Sequence, residues 1–512
     1  MQNPKNLSTD IFNIDKNIEN YLDWPVTEDH FNVIIDIIIK NFFIILNKKN
    51  NFEKVLKSDT AFLSQLVQIY HCQVVKKICE KKKYNLIHGK FSKKYYDLDN
   101  SLFDFQNKSF LIIIKSFLKS ILLTFKSNKI KQYLYLILNK KSLCIGSPSL
   151  MIRENAFINK TFLVVLNTDS ISIKKQTNIE NELKDIIIGF FNKINKEICG
   201  FFDIKIDNEK IVNHYLIRSR KICNFFNKKN FFNFSHIYGA NSSKPSTKIL
   251  ATHLKNNKNI IYAQEHGNNN YSLQNKFLPT LYVGYDKFLC PNDVCAKNLE
   301  NNIYKFHSDN INFFPQTISC KLKSKYKTNY NQSLKNINLS KIKILLVGCP
   351  MGPIRSPVSP GNFFYYRFFL EKQILDAFKL NNFCIDYKLH PDRVGWEKFF
   401  KLSSNKIIYD KFEKIYNSYD VIIFTYTSTT CFNLLLSSSK PCIIFNTDLN
   451  QWNKNDLIFL ETRCHSENLS FIEQNSYKMV SKDKKNLEHI INSSIKKSQN
   501  FEYKENILNF NI

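Results

Sequence analysis

Up to about residue 140, apolar positions recur at mostly helical spacing, and beyond it short apolar runs alternate with helical stretches. In the first part, VIIDIIIKNFFIIL (33–46) and LSQLVQIYHCQVVKKI (63–78) predict helices, and YLYLIL (133–138) predicts a strand. The two most apolar stretches, 31–46 and 110–125, are interrupted by Asp36 and Lys40 and by Lys115 and Lys119. Neither supplies the roughly 20 clean apolar residues of a spanning helix. Both are expected to be buried core helices, the alternative being helices lying on a membrane surface.

From 141 the texture changes. KSLCIGSPS (141–149), TFLVVLNTD (161–169), SHIYGAN (235–241), NIIYAQEHG (259–267) and YDKFLCPND (285–293) predict strands ending in polar turns. Between them IENELKDIIIGFFNKINKEI (179–198) predicts a helix with Leu183, Ile186, Ile187 and Phe190 on one side, and STKILATHLKNNK (246–258) a helix that Ser246 can cap. Strand–helix–strand order implies a parallel sheet. Residues 321–340 are polar, basic and free of apolar periodicity, as a linker is. KIKILLVG (341–348) then predicts a strand, followed by the loop CPMGPIRSPVSPGN and the helix FFYYRFFLEKQILDAFKLN. The stretch 384–446 carries three short apolar runs (384–389, 421–424 and 442–445), β-branched or aromatic, as buried parallel strands are. Between the last two, 429–438 places Cys431, Leu434, Leu435 and Leu436 on one packed helical face, giving a βαβ unit. A loop and helix follow at 449–463, and the charged tail beyond 481 is predicted helical. The expected organisation is α/β: a helical region 1–140, a Rossmann-like domain 141–320, a linker 321–340, a second Rossmann-like domain 341–480 facing the first across a cleft, and a helical tail 481–512.

Composition changes this picture little. Lys+Arg number 73 against 44 Asp+Glu, a formal charge of +29, which suits nucleic acid, an anionic surface or a phosphorylated substrate. The lysines are scattered, without an arginine-rich block or an RNA-binding signature, and the wealth of Lys, Asn and Ile is what AT-rich codons produce. We read the basicity as compositional drift and expect no specific nucleic-acid binding. The 13 cysteines form no C-x-x-C and no Cys/His pairing, so neither a zinc site nor a disulfide framework is indicated. The first residues carry no hydrophobic signal core, and a cytoplasmic protein, soluble or peripheral to the inner membrane, is expected. Glycine is sparse at 11, yet seven fall from Gly239 to Gly395, which places the functional cleft in that interval.

Four groups can carry chemistry, each with a plainer reading beside it. In open parallel sheets ligands bind beyond the carboxyl ends of the strands. His390-Pro391-Asp392-Arg393 ends one run; an imidazole there can donate to a phosphate or ribose oxygen and Arg393 can pair with phosphate bidentately, though His before Pro is also an ordinary extended turn residue. Thr427, Ser428 and Thr429 open a helix, where a hydroxyl can cap the chain and the same end can hold a phosphate. Glu265-His266-Gly267 ends a strand of the first domain, where His266 can act as general base on an acceptor hydroxyl with Glu265 orienting it, or be a turn histidine bonded to backbone. Arg355 and Ser356 lie in the Gly352–Gly361 loop, which has the position of a phosphate-approaching loop without a G-x-G-x-x-G or a G-K-[ST], and can equally be a rigid ordering loop. Asp97-Leu98-Asp99 has the D-x-D spacing of some metal-holding transferases, but so short a pair is common by chance, and no metal site is expected.

AQEHGNNNY, PIRSPVSPGNFFYY, HPDRVGW and YDVIIFTYTSTTCFNLLLSSSKPCIIFN with Gln451-Trp452 together resemble GT-B glycosyltransferases, more narrowly the transferases of bacterial O-antigen and surface-carbohydrate loci. Capsule ulosonic-acid transferases, sialyltransferases and polyol-phosphate polymerases have a similar His-Pro and Ser/Thr arrangement. The resemblance covers about 235–465 and implies that His390, Ser428 and Thr429 bind the donor phosphate and that His266 is the catalytic candidate. It departs at Glu265 and Asn268, where the family usually shows Gln-His-Gly-Gly. The implied activity is transfer of a sugar, an ulosonic acid among the candidates, from a nucleotide-activated donor to a glycan or lipid-linked acceptor. The implied reaction inverts configuration and needs no metal or cofactor beyond the nucleotide-sugar co-substrate. Alternatives on the same fold are a polyol-phosphate transferase and a sugar-nucleotide epimerase; those of another class are a basic nucleic-acid-binding protein and a scaffold.

Overall fold

The computed structural model describes residues 6–8, 25–26, 28–48, 51–88, 92–104, 110–166, 181–227, 234–240, 244–264, 276–321, 339–349, 364–391, 397–427, 429–447, 452, 454–469, 471–472, 476–477 and 482–500. The helical spacing of the N-terminal region produces helices. Glu28–Asn47 buries Phe31, Ile34, Ile38 and Phe42, as expected of the stretch 31–46. Leu63–Lys82 buries Leu66, Val67 and Tyr70, and Lys83 ends it in the left-handed region at φ 57°. A short parallel pair, β1 (Asn6–Ser8) and β2 (Asn85–Ile87), lies beside them. Helix Asn181–Phe202 packs on the first of these helices: Phe42 meets Phe190 edge-on at 6.1 Å, and Asn41 donates to Glu197 at 3.1 Å.

Two histidines in this packing are buried among aromatic rings. His71 lies edge-on to Phe31 at 5.1 Å, and burial depresses its pKa to about 3. His307 stacks on Phe314 at 5.3 Å, and burial lowers it to about 4 despite a bond to the Lys276 backbone that favours the charged form. Both folded values lie below the ordinary 6.5, so the unfolded chain binds more protons and stability falls as pH drops below about 6.5. Each histidine is expected to remove roughly 2 kcal/mol between about pH 7 and about pH 5. Urea titrations over that range check this: His71→Leu and His307→Leu should each flatten the acid slope by one share, and a wild-type stability flat across the range would contradict it.

From residue 141 the short runs become strands. β3 (Lys141–Ile145), β4 (Phe162–Leu166), β5 (His236–Gly239), β6 (Ile260–Gln264), β7 (Lys287–Cys290) and β8 (Gln316–Ser319) form one sheet, parallel throughout, in the order β4-β3-β5-β6-β7-β8. β9 (Lys343–Val347), β10 (Cys384–Lys388), β11 (Ile407–Ile408), β12 (Val421–Phe424), β13 (Cys442–Thr447) and β14 (His465–Leu469) form a second parallel sheet in the order β11-β10-β9-β12-β13-β14. Crossover helices connect most of these strands, and β12 is buried along its whole length. Each sheet grows from its first strand in one direction and then in the other, which is the doubly wound order of Rossmann-like domains. A further antiparallel pair, β15 (Phe471–Ile472) and β16 (Ser476–Tyr477), follows. The tail helix Lys484–Lys497 buries Leu487, Ile490 and Ile491. Asn298 of the first unit donates to both carboxylate oxygens of Asp456 of the second, at 3.0 and 3.2 Å.

Three local expectations are corrected. YLYLIL is not a strand but belongs to helix Gln132–Ile137. The outer edge of β4 is taken by side chains: Asn128 pairs with both the N–H (2.8 Å) and the carbonyl (2.9 Å) of Leu163, and Val165 N–H donates to Thr124 Oγ1 at 2.9 Å. Ser246 does not cap its helix. Pro245 occupies the first helical position, where its fixed φ fits, and puts Ser246 inside the first turn of Pro245–Leu254. Finally, helix Phe110–Ser127 turns Phe117, Leu122 and Phe125 to solvent rather than into the core. Among the described residues no helix is long and apolar enough to cross a membrane.

Candidate functional site

β9, β10 and β12 end level. Val347 pairs with Lys388 on one side and with Phe424 on the other, so the chain leaves all three strands at one height. With neighbouring strands about 4.8 Å apart, β10 and β12 stand about 10 Å apart across β9. This is the second sheet's switch point, where the crossovers diverge and open α/β sheets hold ligands. His390, two residues beyond β10 and half-buried, emerges on one side, and Thr425–Thr427 emerge from β12 on the other. Between them the chain leaves β9 through Gly348 toward Arg355 and Ser356 in sequence. Gly348 has to be glycine: a Cβ there would run into the Tyr387 hydroxyl and lie 3.1 Å from the Lys388 carbonyl oxygen.

A buried carboxylate ties the three ends together. Glu371, on helix Phe364–Leu380, is fully buried; it accepts from the Cys349 N–H after β9 (2.9 Å), the Tyr387 hydroxyl of β10 (2.8 Å) and Thr425 Oγ1 after β12 (3.0 Å). Sequence reasoning missed it. The signal was an acid on the helix face that also carries Phe368, Leu375 and Phe378, all buried. Lys388 was missed too. Its buried ammonium donates to the Leu389 carbonyl at 2.7 Å; burial lowers its pKa, and Cys431, Asp410 and Glu413 partly oppose that. A basic side chain is thus held at the strand end two residues before His390.

The hydroxyl cluster divides. Thr427 is buried, its carbonyl accepting from Thr429 N–H at 2.8 Å. Thr429 is the N-cap of helix Thr430–Leu436, accepting from Cys431 N–H at 3.3 Å. The plain capping role is therefore occupied, at the head of a helix of only seven residues. Ser428, Arg393, Arg355 and Ser356 lie outside the described residues.

In the first sheet β6 ends at Gln264; Glu265 and His266 follow it and also lie outside the described residues. Gln264 is buried and donates to the Ala240 carbonyl at 3.2 Å, while its side-chain oxygen accepts from Ser149 Oγ. Ser149 in turn caps helix Leu150–Ile158. One amide thus links the ends of β5 and β6 to the helix that follows β3, as Glu371 links the ends of the other sheet. Gly239 faces the Tyr285 ring, whose hydroxyl would stand 2.8 Å from an added Cβ. Asp99 serves as a cap, accepting from Ser101 N–H at 2.7 Å; hydrogen bonding from the Ser101 side chain, and then from its N–H, lowers the Asp99 pKa. Among the described residues no group of three or more His, Cys, Asp or Glu is placed to hold a metal.

No family model matches the chain, and no curated protein does. Among solved structures, the chain is similar at a TM-score of 0.34 and 9% identity to UGT89C1 of Arabidopsis thaliana, over 74% of this chain and 90% of that one. The glycosyltransferase SnogD from Streptomyces nogalater gives 0.28 and 7%, over 72% and 95%. The Streptomyces sp. SF2575 glycosyltransferase SsfS6, complexed with thymidine diphosphate, gives 0.29 and 9%, over 72% and 94%. The fold of this chain rests on its own two sheets rather than on these likenesses.

Proposed function

We propose that the chain is a glycosyltransferase taking a sugar from a nucleotide-activated donor. The observation that supports this best is the level ending of β9, β10 and β12 at the second sheet's switch point, with His390 following the strand on one side of β9 and Thr427 the strand on the other. In this reading His390, Arg393, Thr427, Ser428 and Thr429 hold the donor's phosphates, joined by Arg355 and Ser356. Thr429 also caps its helix: its hydroxyl oxygen accepts from Cys431 N–H, and its own O–H is the donor it can offer to phosphate. Lys388 supplies a basic side chain at the end of β10, and Glu371 sets the three strand ends in place.

The acceptor is assigned to the first domain, where His266 takes the proton from the attacking hydroxyl and Glu265 orients it. Charge developing on the leaving phosphate is held by preorganised donors of the second domain. Direct attack by the acceptor inverts the donor carbon, and this scheme requires no metal. A surface polysaccharide or O-antigen glycan as acceptor, and an ulosonic acid as the sugar, extend the same proposal from the motif resemblance.

A thermal-shift panel of CMP, CDP, UDP, GDP and thymidine diphosphate tests the donor site. A ligand that binds only the folded state stabilises it by about 2.7 kcal/mol at a hundred times its dissociation constant. One nucleotide should stand clear of the rest; equal and negligible shifts for all would defeat the reading.

A further inference from the structure

Helix Phe110–Ser127 is built inside out. Ser116, Ser120, Thr124 and Asn128 recur every fourth residue, and this polar stripe faces inward. Its outer members satisfy the free edge of β4: Asn128 clamps Leu163 through both backbone groups, and Thr124 accepts from Val165 N–H. The next helix, Gln132–Ile137, repeats the device, its Gln132 being buried and donating to the Thr161 carbonyl at 2.8 Å. With polar side chains used as anchors, the apolar ones are left outside. Phe117 is 63% exposed, Leu122 61%, Phe125 58% and Ile137 80%. Exposed apolar side chains scattered singly are ordinary; a contiguous set along two successive helices marks an interaction surface.

The charge around it says what kind. Residues 110–141 contain seven lysines (Lys115, Lys119, Lys126, Lys129, Lys131, Lys140 and Lys141) and no Asp or Glu. Lys115, Lys119 and Lys126 are exposed and, at spacings of four and seven, run along one flank of the apolar face. Lys129 pairs with Glu154 at 3.0 Å. An amphipathic helix with large apolar side chains on one face and lysines beside them is the form that lies in the plane of an anionic bilayer surface. A helix of 18 residues offers about 27 Å of such contact.

We propose that this face docks the protein onto anionic phospholipid, inserting Phe117, Leu122 and Phe125 at headgroup depth while the lysines meet the lipid phosphates. The proposal stands on the N-terminal helices and is independent of the transferase reading.

Co-sedimentation of the full chain with phosphatidylcholine vesicles, and with phosphatidylcholine mixed with phosphatidylglycerol, tests it. Binding should appear with the mixed vesicles, weaken as salt rises, and be small with the neutral ones. Each surface lysine contributes about fivefold to partitioning, so Lys115→Gln/Lys119→Gln/Lys126→Gln should lose about a hundredfold. Phe117→Ser/Leu122→Ser should lose at least about tenfold with an unchanged melting midpoint, since both side chains are already exposed. Equal binding by wild type and both variants, or no binding to the mixed vesicles, would overturn the proposal. So would a dimer that dissociates in the Phe117→Ser/Leu122→Ser variant, because a second copy would then be the occupant. A fall in that variant's midpoint would also overturn it, since another part of the chain would then cover the face.

Discussion

Replacing His266 with alanine is expected to lower sugar transfer by about 10²–10⁴-fold while nucleotide affinity stays within a few-fold of wild type. On the proposed mechanism the two effects separate because the acceptor and donor roles are assigned to different sheets. His266 follows β6 of the first sheet, whereas the donor site is assigned to the ends of β9, β10 and β12 in the second. A base that acts only as the acceptor proton leaves contributes to the transition state and not to donor binding, so kcat falls and the nucleotide dissociation constant does not. Steady-state kinetics with a competent acceptor, beside direct nucleotide titration, reads both. A variant that keeps most of its turnover moves the base elsewhere, with Glu265 the next residue to replace; a large loss of nucleotide affinity removes His266 from the acceptor side.

Asp59→Ala is expected to cost about 3–5 kcal/mol of stability. Asp59 and Arg218 are both almost fully buried; Arg218 Nε reaches both carboxylate oxygens at 3.0 Å, and its guanidinium also donates to the Phe103 carbonyl at 3.3 Å and lies over the Phe62 ring at 4.3 Å. Asp59 acts on a second basic residue as well. Lys248, buried at 1% exposure on helix Pro245–Leu254, has its pKa pushed far down by burial, and Asp59 opposes that shift. Removing the carboxylate therefore leaves the Arg218 guanidinium buried without its partner and takes away the charge that favours the protonated form of Lys248, on the helix that follows β5. Denaturant titration at neutral pH measures the loss, and Arg218→Met/Asp59→Leu should recover much of it, because an apolar pair leaves no buried charge unpaired.

The strands were legible because buried parallel strands advertise themselves. Val421–Phe424 is four β-branched or aromatic residues between polar turns, and the strand occupies those four residues. The candidate segments at the strand ends were visible as motifs, and the strand order, which comes from pairing distant in sequence, brings His390 and Thr427 to one edge. Glu371 was not legible as a linker of strand ends, since its partners lie 16 to 54 positions away. The helix at 110–127 was misread for a related reason. Periodicity tells which residues share a face; it does not tell which face is covered. Here the edge of β4 claimed Thr124 and Asn128 of the polar stripe, and hydrogen bonding decided an orientation that hydrophobicity alone would have reversed.

Isothermal titration of the nucleotide that stabilises the protein best, into wild type and His390→Ala, tests the central assignment most directly. A hydrogen bond to a charged phosphate is worth about 1.5–3 kcal/mol, so the variant should bind at least about tenfold more weakly, with one site per chain in the wild type. Equal affinity in the two proteins would place the nucleotide somewhere other than the carboxyl edge of β9, β10 and β12.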